Sequence, residues 1–292
     1  MTPQRKATLL GLAAVMAWST VATAFKLALR HLDPYQLLFL ANVFSLGALA
    51  LVLTVGRKWP TIARAGRARV LRAASLGLLN PVLYYLILFR AYDRLPAQVA
   101  QPLNYTWALM LAYLSVPLLG HRLRRRDLLA GLICYGGAVV IATGGNVTGF
   151  SVADPLGVTL ALASTVIWAL YWIAGRRSDM DPVAGLFLGF AAGLPFTAVA
   201  VALRSHFSFP ALGIWAGLYV GCFEMGFTFV LWLMAMRLTT STARIANLIF
   251  LSPFLSLVFI RFILGEAIRP ATPLGLVLIV GGLWLQSRDR SS

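Results

Sequence analysis

The sequence predicts an all-α integral membrane protein, and three observations lead to that fold class. Of the 292 residues, 60% are hydrophobic and only 12% are charged, whereas soluble domains are about a quarter charged. The mean hydropathy is +0.82, and apolar runs close to the length of a membrane-spanning helix recur along the chain. Basic residues concentrate in every second loop between these runs. Helices are expected because a helix satisfies its own backbone hydrogen bonds in lipid.

Ten apolar runs predict ten transmembrane helices of about 17–24 residues each. Their limits are 7–29, 34–55, 71–90, 97–118, 128–144, 156–174, 182–203, 211–234, 241–263 and 271–287. Turn signals such as Asp33-Pro34 and Asp181-Pro182 separate them, since an acidic residue followed by proline is typical of a helix start. The first run continues past Ala24 to Leu29, so we interpret it as a span rather than a cleaved signal peptide.

The basic residues predict the orientation of the chain. Seventeen lysines and arginines lie at the two termini and in the loops of one side, against five in the loops of the other side. Positively charged loops stay in the cytoplasm. We therefore expect a multi-pass protein of the inner (plasma) membrane with both termini cytoplasmic. The net charge of +16 has this topological explanation, so nucleic acid is not an expected partner.

An internal repeat divides the sequence into halves. LGHRLRRRDLLAGLICYGGAV, 119–139, matches LGEAIRPATPLGLVLIVGGLW, 264–284, with a glycine pair at the same position in both. We expect a first five-helix repeat over 1–145 and a second over 146–292, in one membrane domain without a soluble domain. Because five is odd, the second repeat enters the membrane from the opposite side. Such inverted-topology repeats are typical of secondary transporters with a central cavity and alternating access.

These features resemble a known group of transporters. The two LG-(H/E) segments, the five-plus-five arrangement and the opening AWSTVATAFK are similar to the drug/metabolite transporter superfamily in its EamA-like form, and within it to the YddG-type aromatic amino acid exporters. The resemblance covers essentially the whole chain and implies export of amino acids with aromatic side chains. Two positions depart from the pattern. His121 stands where the second repeat has Glu266, and Asn42 replaces an arginine of many relatives, which argues against an anionic substrate.

Polar and aromatic residues inside the spans predict the substrate site, because such groups are costly in lipid and tend to face a cavity or a partner helix. Asn80 and Tyr84 share a face of the third span, and Glu224 takes the place of Asn80 in the eighth. Amides and rings together suit a neutral amphiphile. The predicted substrate-binding residues are Trp18, Asn80, Tyr84, Gln98, Gln101, Asn104, Tyr105, Trp107, Trp168, Glu224, Arg244 and Asn247.

Alternatives stay open for these residues. Each amide could equally serve as a hydrogen bond between helices, and tryptophans also form belts at the membrane interface. Glu224 either faces the cavity as a site for a proton or an amino group, or is buried as a neutral acid. Pro81, Pro102 and Pro253 are predicted hinges, since proline interrupts the helical hydrogen bonds.

The expected function is export of small neutral metabolites, most of all amino acids with aromatic side chains. The alternative is efflux of hydrophobic cationic drugs with Glu224 as counter-ion. A P-loop is missing from the sequence, so an ATP-driven pump is not expected. An enzyme, a metal and a cofactor are not expected either, because the three histidines lie at span ends or in loops. The expected partners are a small-molecule substrate and the lipid bilayer. Proton coupling, a channel mechanism and the oligomeric state stay open.

Overall fold

The computed structural model describes residues 2–120, 125–146, 152, 154–176, 180–239, 245 and 247–287. Within these ranges every regular element is a helix. Seven of the helices are long and apolar enough to cross a membrane.

The helices follow the predicted spans closely. Their bounds are α1 Pro3–Ala28, α2 Pro34–Val55, α3 Trp59–Ala63, α4 Arg67–Arg94, α5 Ala97–Tyr105, α6 Trp107–Leu119, α7 Arg125–Ala142, α8 Pro155–Gly175, α9 Pro182–Arg204, α10 Ala211–Leu238, α11 Asn247–Leu264 and α12 Ala271–Ser287. The predicted span 97–118 consists of α5 and α6, and α3 is a short helix in a loop. The predicted all-α membrane fold is confirmed.

Two aspartate-proline pairs begin equivalent helices in the two halves. Asp33 Oδ1 accepts hydrogen bonds from the backbone N–H groups of Tyr35, at 2.8 Å, and Gln36, at 3.0 Å. Asp181 Oδ1 likewise accepts from Val183 and Ala184 at the start of α9. A carboxylate stabilises a helix start because the first N–H groups have no partner within the helix.

Matching interruptions also recur in the two halves. α4 contains a π-helical segment over Leu78–Leu83, and α10 contains one over Val220–Phe227. Gly120 follows α6 with φ 70°, and Gly265 follows α11 with φ 72°. Only glycine adopts this left-handed conformation without a steric penalty, so both helices end at the predicted LG segments.

The last helices of the two halves pack against each other. Cys134 Sγ of α7 lies 3.2 Å from the Ile279 carbonyl oxygen of α12. A Cβ added to Gly282 would come within 2.8 Å of the Ala130 carbonyl oxygen. The predicted glycine pairs therefore allow close approach of two helix backbones. α2 packs against α9 and α10, and α1 packs against α10 and α11, so helices of both halves surround the centre of the bundle.

The three predicted hinge prolines lie at or near breaks in helices. Asn80, directly before Pro81, has non-helical dihedral angles of φ −139° and ψ 113°. Pro102 lies in α5 one turn before Thr106, where α6 takes over. Pro253 is the second residue of the α-helical segment Ser252–Phe259 of α11, which follows a 3₁₀ segment over Asn247–Leu251. Proline lacks the N–H that would continue the helix. Motion at these positions stays a prediction.

Candidate substrate site

An aromatic cluster occupies the centre of the bundle. The rings of Tyr84 and Trp168 stack with their centroids 4.4 Å apart. Trp168 also contacts the rings of Trp107 and Phe229, at 6.4 and 6.1 Å. Trp18 lies edge-on to Phe229 at 5.6 Å. The cluster joins helices of the first half, α1, α4 and α6, to α8 and α10 of the second, so the predicted Trp18, Tyr84, Trp107 and Trp168 lie together.

A chain of hydrogen bonds runs along one side of this cluster. The Tyr84 hydroxyl donates to Asn104 Oδ1 at 3.3 Å, and Asn104 Nδ2 donates to Ser164 Oγ at 2.9 Å. Both ends of the Asn104 amide are therefore engaged within the protein. This arrangement agrees with the interpretation of Asn104 as a link between helices.

The carboxyl group of Glu224 lies beside the cluster with one oxygen engaged. The hydroxyl of the fully buried Tyr85 donates to Glu224 Oε1 at 3.1 Å. Glu224 Oε2 and the nearby Thr228 Oγ1 are buried; neither makes a hydrogen bond of standard geometry to a described residue, and the Trp18 indole lies close to the Glu224 carboxyl group. An unsatisfied buried polar atom costs about 1–3 kcal/mol. Oε2 can therefore accept a hydrogen bond from a ligand or carry a proton.

A cavity of about 240 Å³ extends from the cluster to one end of the bundle. We call this end, where α1 begins and α12 ends, the terminal face. Asn80 lines the inner part of the cavity and is only 2% exposed; neither atom of its amide makes a hydrogen bond of standard geometry to a described residue, and the Tyr171 hydroxyl lies close to it. Tyr171, Trp172 and Phe229 are also in the lining, while Arg176 lies at the mouth. The cavity thus combines an unpartnered amide with aromatic walls.

The opposite face of the bundle is closed around Gln98. Its Nε2 donates to the Ala267 carbonyl oxygen at 2.9 Å, and its Oε1 accepts from the Arg269 N–H at 2.9 Å and the Thr272 hydroxyl at 3.1 Å. Glu266 Oε1 accepts from the Ala97 N–H at 2.9 Å. The structure therefore places Gln98 in the closure of this face, outside the aromatic cluster.

The remaining predicted residues are spread out. Gln101 is buried with an unpartnered Oε1, and Tyr105 packs against the central core. Asn247 is exposed at the start of α11, and Arg244 lies outside the described residues. Phe229 lines the cavity but was not predicted, because a phenylalanine within an apolar run gives no sequence signal.

Comparison with known proteins assigns the chain to a family. A profile of the EamA-like transporter family matches residues 5–143 and 155–288. The chain belongs to this family. The resemblance predicted from the LG segments and AWSTVATAFK is therefore confirmed, as are the two five-helix inverted repeats. The boundary between repeats at 145/146 stays a prediction.

Curated relatives cover nearly the full length of the chain. An aromatic amino acid exporter YddG of Ancylobacter novellus is 29% identical over 286 residues, covering 94% of this chain and 95% of the relative. One of Salmonella typhimurium is 26% identical, covering 99% and 100%. An uncharacterized transporter of Archaeoglobus fulgidus is 26% identical, covering 93% of each. A crystal structure with 27% identity has a TM-score of 0.66 and covers 98% of this chain and 99% of the other. The EamA-family chain is thus a membrane transporter.

Proposed function

We propose that this EamA-family transporter exports small neutral amphiphiles, above all amino acids with aromatic side chains, by alternating access. One observation carries the proposal: the unpartnered Asn80 amide lies in a cavity lined by Tyr171, Trp172 and Phe229. An amide can bind the carboxylate or the ammonium group of an amino acid. Aromatic pairs add about 0.5–1.5 kcal/mol each, so the walls favour an aromatic side chain. The relatives named aromatic amino acid exporters support this substrate class.

The size of the cavity favours a single small metabolite. Its volume of about 240 Å³ is below the range of roughly 300–1,000 Å³ that is typical of pockets for drug-sized ligands. A drug-sized molecule would need a wider opening. An amino acid needs less space and can fill the part of the cavity between Asn80 and the rings.

The charges around the cavity favour a neutral or zwitterionic substrate. In the part of the chain that the structure describes, the lining contains one basic residue, Arg176, and one acidic residue, Asp181. Both lie at the mouth, on the terminal face. A phosphorylated substrate would be expected to meet several basic side chains deep in the spans.

The closure of one face supports alternating access. The cavity reaches the terminal face, while Gln98 and Glu266 close the opposite face. With both termini in the cytoplasm, as the basic residues predict, this conformation is open inward. The proposed cycle then requires opening around Gln98 and closure around Asp181.

Counterflow in proteoliposomes tests the proposed substrate site. We expect Asn80→Ala to raise the KM for phenylalanine about tenfold, because one or two hydrogen bonds of about 0.5–1.5 kcal/mol each are lost, with a smaller change in maximal rate. Gln36→Ala is the matched control, since Gln36 is also a buried amide, but its Nε2 donates to the His206 and Ser208 carbonyl oxygens, away from the cavity. It should leave KM unchanged. An unchanged KM in folded Asn80→Ala protein contradicts the proposed site.

A second candidate function is efflux of hydrophobic cations. The unpartnered Oε2 of Glu224 favours it, since a buried carboxylate can act as counter-ion. Cationic dyes should then inhibit phenylalanine counterflow, and Glu224→Gln should abolish dye transport. Absence of dye transport by the wild type excludes this function. Transport by the wild type and by Glu224→Gln, measured with and without a pH gradient, also tests proton coupling. If Glu224→Gln keeps full pH-driven accumulation of substrate, Glu224 is not the coupling site.

A further inference from the structure

A second cavity, which we call the lateral groove, opens between α2, α9 and α10 near the terminal face. Its volume is about 590 Å³. The walls are mainly apolar side chains of membrane-spanning helices, among them Leu51, Val55 and Phe227. Lys58 and Arg237 line the end of the groove that lies towards the terminal face. The groove therefore has an apolar part at membrane depth and a basic end at the membrane surface.

The charges at this basic end do not balance. Lys58 Nζ lies 2.8 Å from Asp181 Oδ2, and an Arg237 guanidinium nitrogen lies 3.5 Å from the same oxygen. Among the described residues, one carboxylate thus serves two cations, and one positive charge is left over. The Lys58 side chain is 29% exposed and that of Arg237 is 59% exposed, whereas that of Asp181 is 13% exposed. Both cations are therefore accessible to an external anion.

We propose that the lateral groove binds an anionic phospholipid, with its phosphate between Lys58 and Arg237 and an acyl chain along the apolar walls. Both cations converge on one oxygen atom, so a single phosphate can contact them together. A basic pocket between helices at the membrane surface is a typical site for such headgroups. A water-soluble anion would leave the apolar walls without a partner, and a neutral lipid would leave the extra positive charge unbalanced.

The lateral groove shares a wall with the substrate cavity. Pro182 and Leu233 line both cavities, and Asp181 lies at the mouth of the substrate cavity. A phosphate bound to Lys58 and Arg237 draws these cations away from Asp181. The carboxylate then stands at the mouth without its ion pairs. The bound lipid thereby controls the charge at the mouth, a consequence for transport that rests on the proposed function.

Native mass spectrometry of the full chain in detergent tests lipid binding, with phosphatidylglycerol and phosphatidylcholine offered in equal amounts. The wild type should retain phosphatidylglycerol preferentially. Lys58→Gln with Arg237→Gln should weaken its binding about thirtyfold, since each basic residue near the surface contributes about 1 kcal/mol to attraction of anionic lipid and about 1.4 kcal/mol corresponds to tenfold. Arg64→Gln with Arg69→Gln is the matched control, because it removes the same charge from exposed positions of the same face outside the groove. This control should bind like the wild type.

Asp181→Asn should change the affinity for anionic lipid in the opposite direction. It removes the carboxylate that competes with the phosphate, and asparagine still caps a helix well. We expect phosphatidylglycerol to bind more tightly, by about threefold to tenfold, and a misfolded protein would not show such a gain. Equal retention of both lipids by the wild type, equal loss in both double variants, or displacement by glycerol phosphate at the same concentration each overturns the proposal.

Transport measurements then separate this inference from the proposed function. Phenylalanine counterflow should change on going from phosphatidylcholine liposomes to liposomes with phosphatidylglycerol, and the double variant at Lys58 and Arg237 should lose this dependence. If counterflow is intact but does not depend on the lipid, only the proposed effect of the bound lipid on transport is overturned. Preferential lipid binding without phenylalanine counterflow contradicts the proposed substrate and leaves the lipid site in place.

Discussion

The two faces of the bundle are held by different kinds of interaction. On the terminal face, side chains pair with side chains: Asp181 meets Lys58 and Arg237, and both cations are partly exposed. On the opposite face Arg94 and Asp154 form one such pair, but Lys26 and Glu266 bind main-chain groups at helix ends. Lys26 Nζ donates to the carbonyl oxygens of Tyr92, at 2.8 Å, and Leu95, at 3.1 Å.

The contacts on the opposite face form a clamp around one corner of the chain. Lys26 binds the carbonyl groups where α4 ends, and Glu266 accepts from the N–H groups of Ala97 and Gln98 where α5 begins. Each charge has the sign that its helix end favours, because helix dipoles attract cations at the C-terminus and anions at the N-terminus. We call Lys26 and Glu266 with residues 92–98 the corner clamp.

This difference indicates which of the two faces is closed by the stronger interactions. Exposed ion pairs contribute about 0–1 kcal/mol each, while hydrogen bonds to charged groups contribute about 1.5–3 kcal/mol. The opposite face is therefore closed by the stronger set, and the terminal face is the one with the open cavity. For a transporter, this predicts that the corner clamp must release before the opposite face opens.

The largest effect is expected from breaking the corner clamp at its acidic side. Glu266→Ala removes the acceptor for Ala97 and Gln98 and should lower the free energy of unfolding by about 2–3 kcal/mol. Thermal unfolding in detergent, followed by circular dichroism, measures the loss. Glu266→Gln is the control, since its amide oxygen still accepts one of these bonds and should restore part of the stability. Equal stability of Glu266→Ala and the wild type would show that the clamp does not hold this face.

An intermediate effect is expected at the basic side of the clamp. Lys26→Met keeps the aliphatic stem but removes the ammonium group from Tyr92 and Leu95, so it should cost about 1–2 kcal/mol. Lys58→Met is the matched change on the terminal face and should cost less than about 1 kcal/mol. A larger loss for Lys58→Met than for Lys26→Met in the same unfolding assay would reverse the comparison.

The smallest effect is expected from acid on the terminal face. Burial alone would raise the pKa of Asp181, but its bonds to Lys58 and to the Ala184 and Val183 N–H groups outweigh burial and hold the pKa below the usual value. A carboxyl group whose pKa is lower in the folded state stabilises the fold at pH values above its pKa in the unfolded chain, which is near 4. This stabilisation is lost as the pH falls through the lower pKa of the folded state. Unfolding of the wild type should therefore become easier below about pH 4.

Asp181→Asn is the variant that isolates this effect. It should remove part of the pH dependence of the unfolding temperature and lower the stability at neutral pH only by the contribution of the ion pairs, less than about 1 kcal/mol, because asparagine still caps α9. Asp154→Asn gives the comparison on the opposite face, where the Gly157 N–H and Arg94 lower the pKa of Asp154. An identical acid profile in the wild type and Asp181→Asn would show that the terminal-face ion pairs do not contribute.

Much of the fold was predictable because its signals are local. Asp33-Pro34 and Asp181-Pro182 begin helices in any context that leaves the first N–H groups without partners. The LG segments matched between the halves, and their glycines Gly120 and Gly265 share the left-handed backbone that ends a helix. The site was harder to predict. Asn80 and Gln98 are both buried amides in spans, yet one is unpartnered in a cavity and the other is saturated at the closed face.

The sequence by itself determined the fold class, the helix boundaries and the inverted repeat, because apolar length, caps and glycines act within a few residues. Only the tertiary structure decided which polar groups find partners. Tyr85 meets Glu224, Gln98 meets the segment 266–272, and Asn80 makes no hydrogen bond of standard geometry to a described residue. These outcomes depend on contacts between helices that are far apart in the chain. The sequence does not distinguish a buried polar residue that binds another part of the protein from one that binds a substrate.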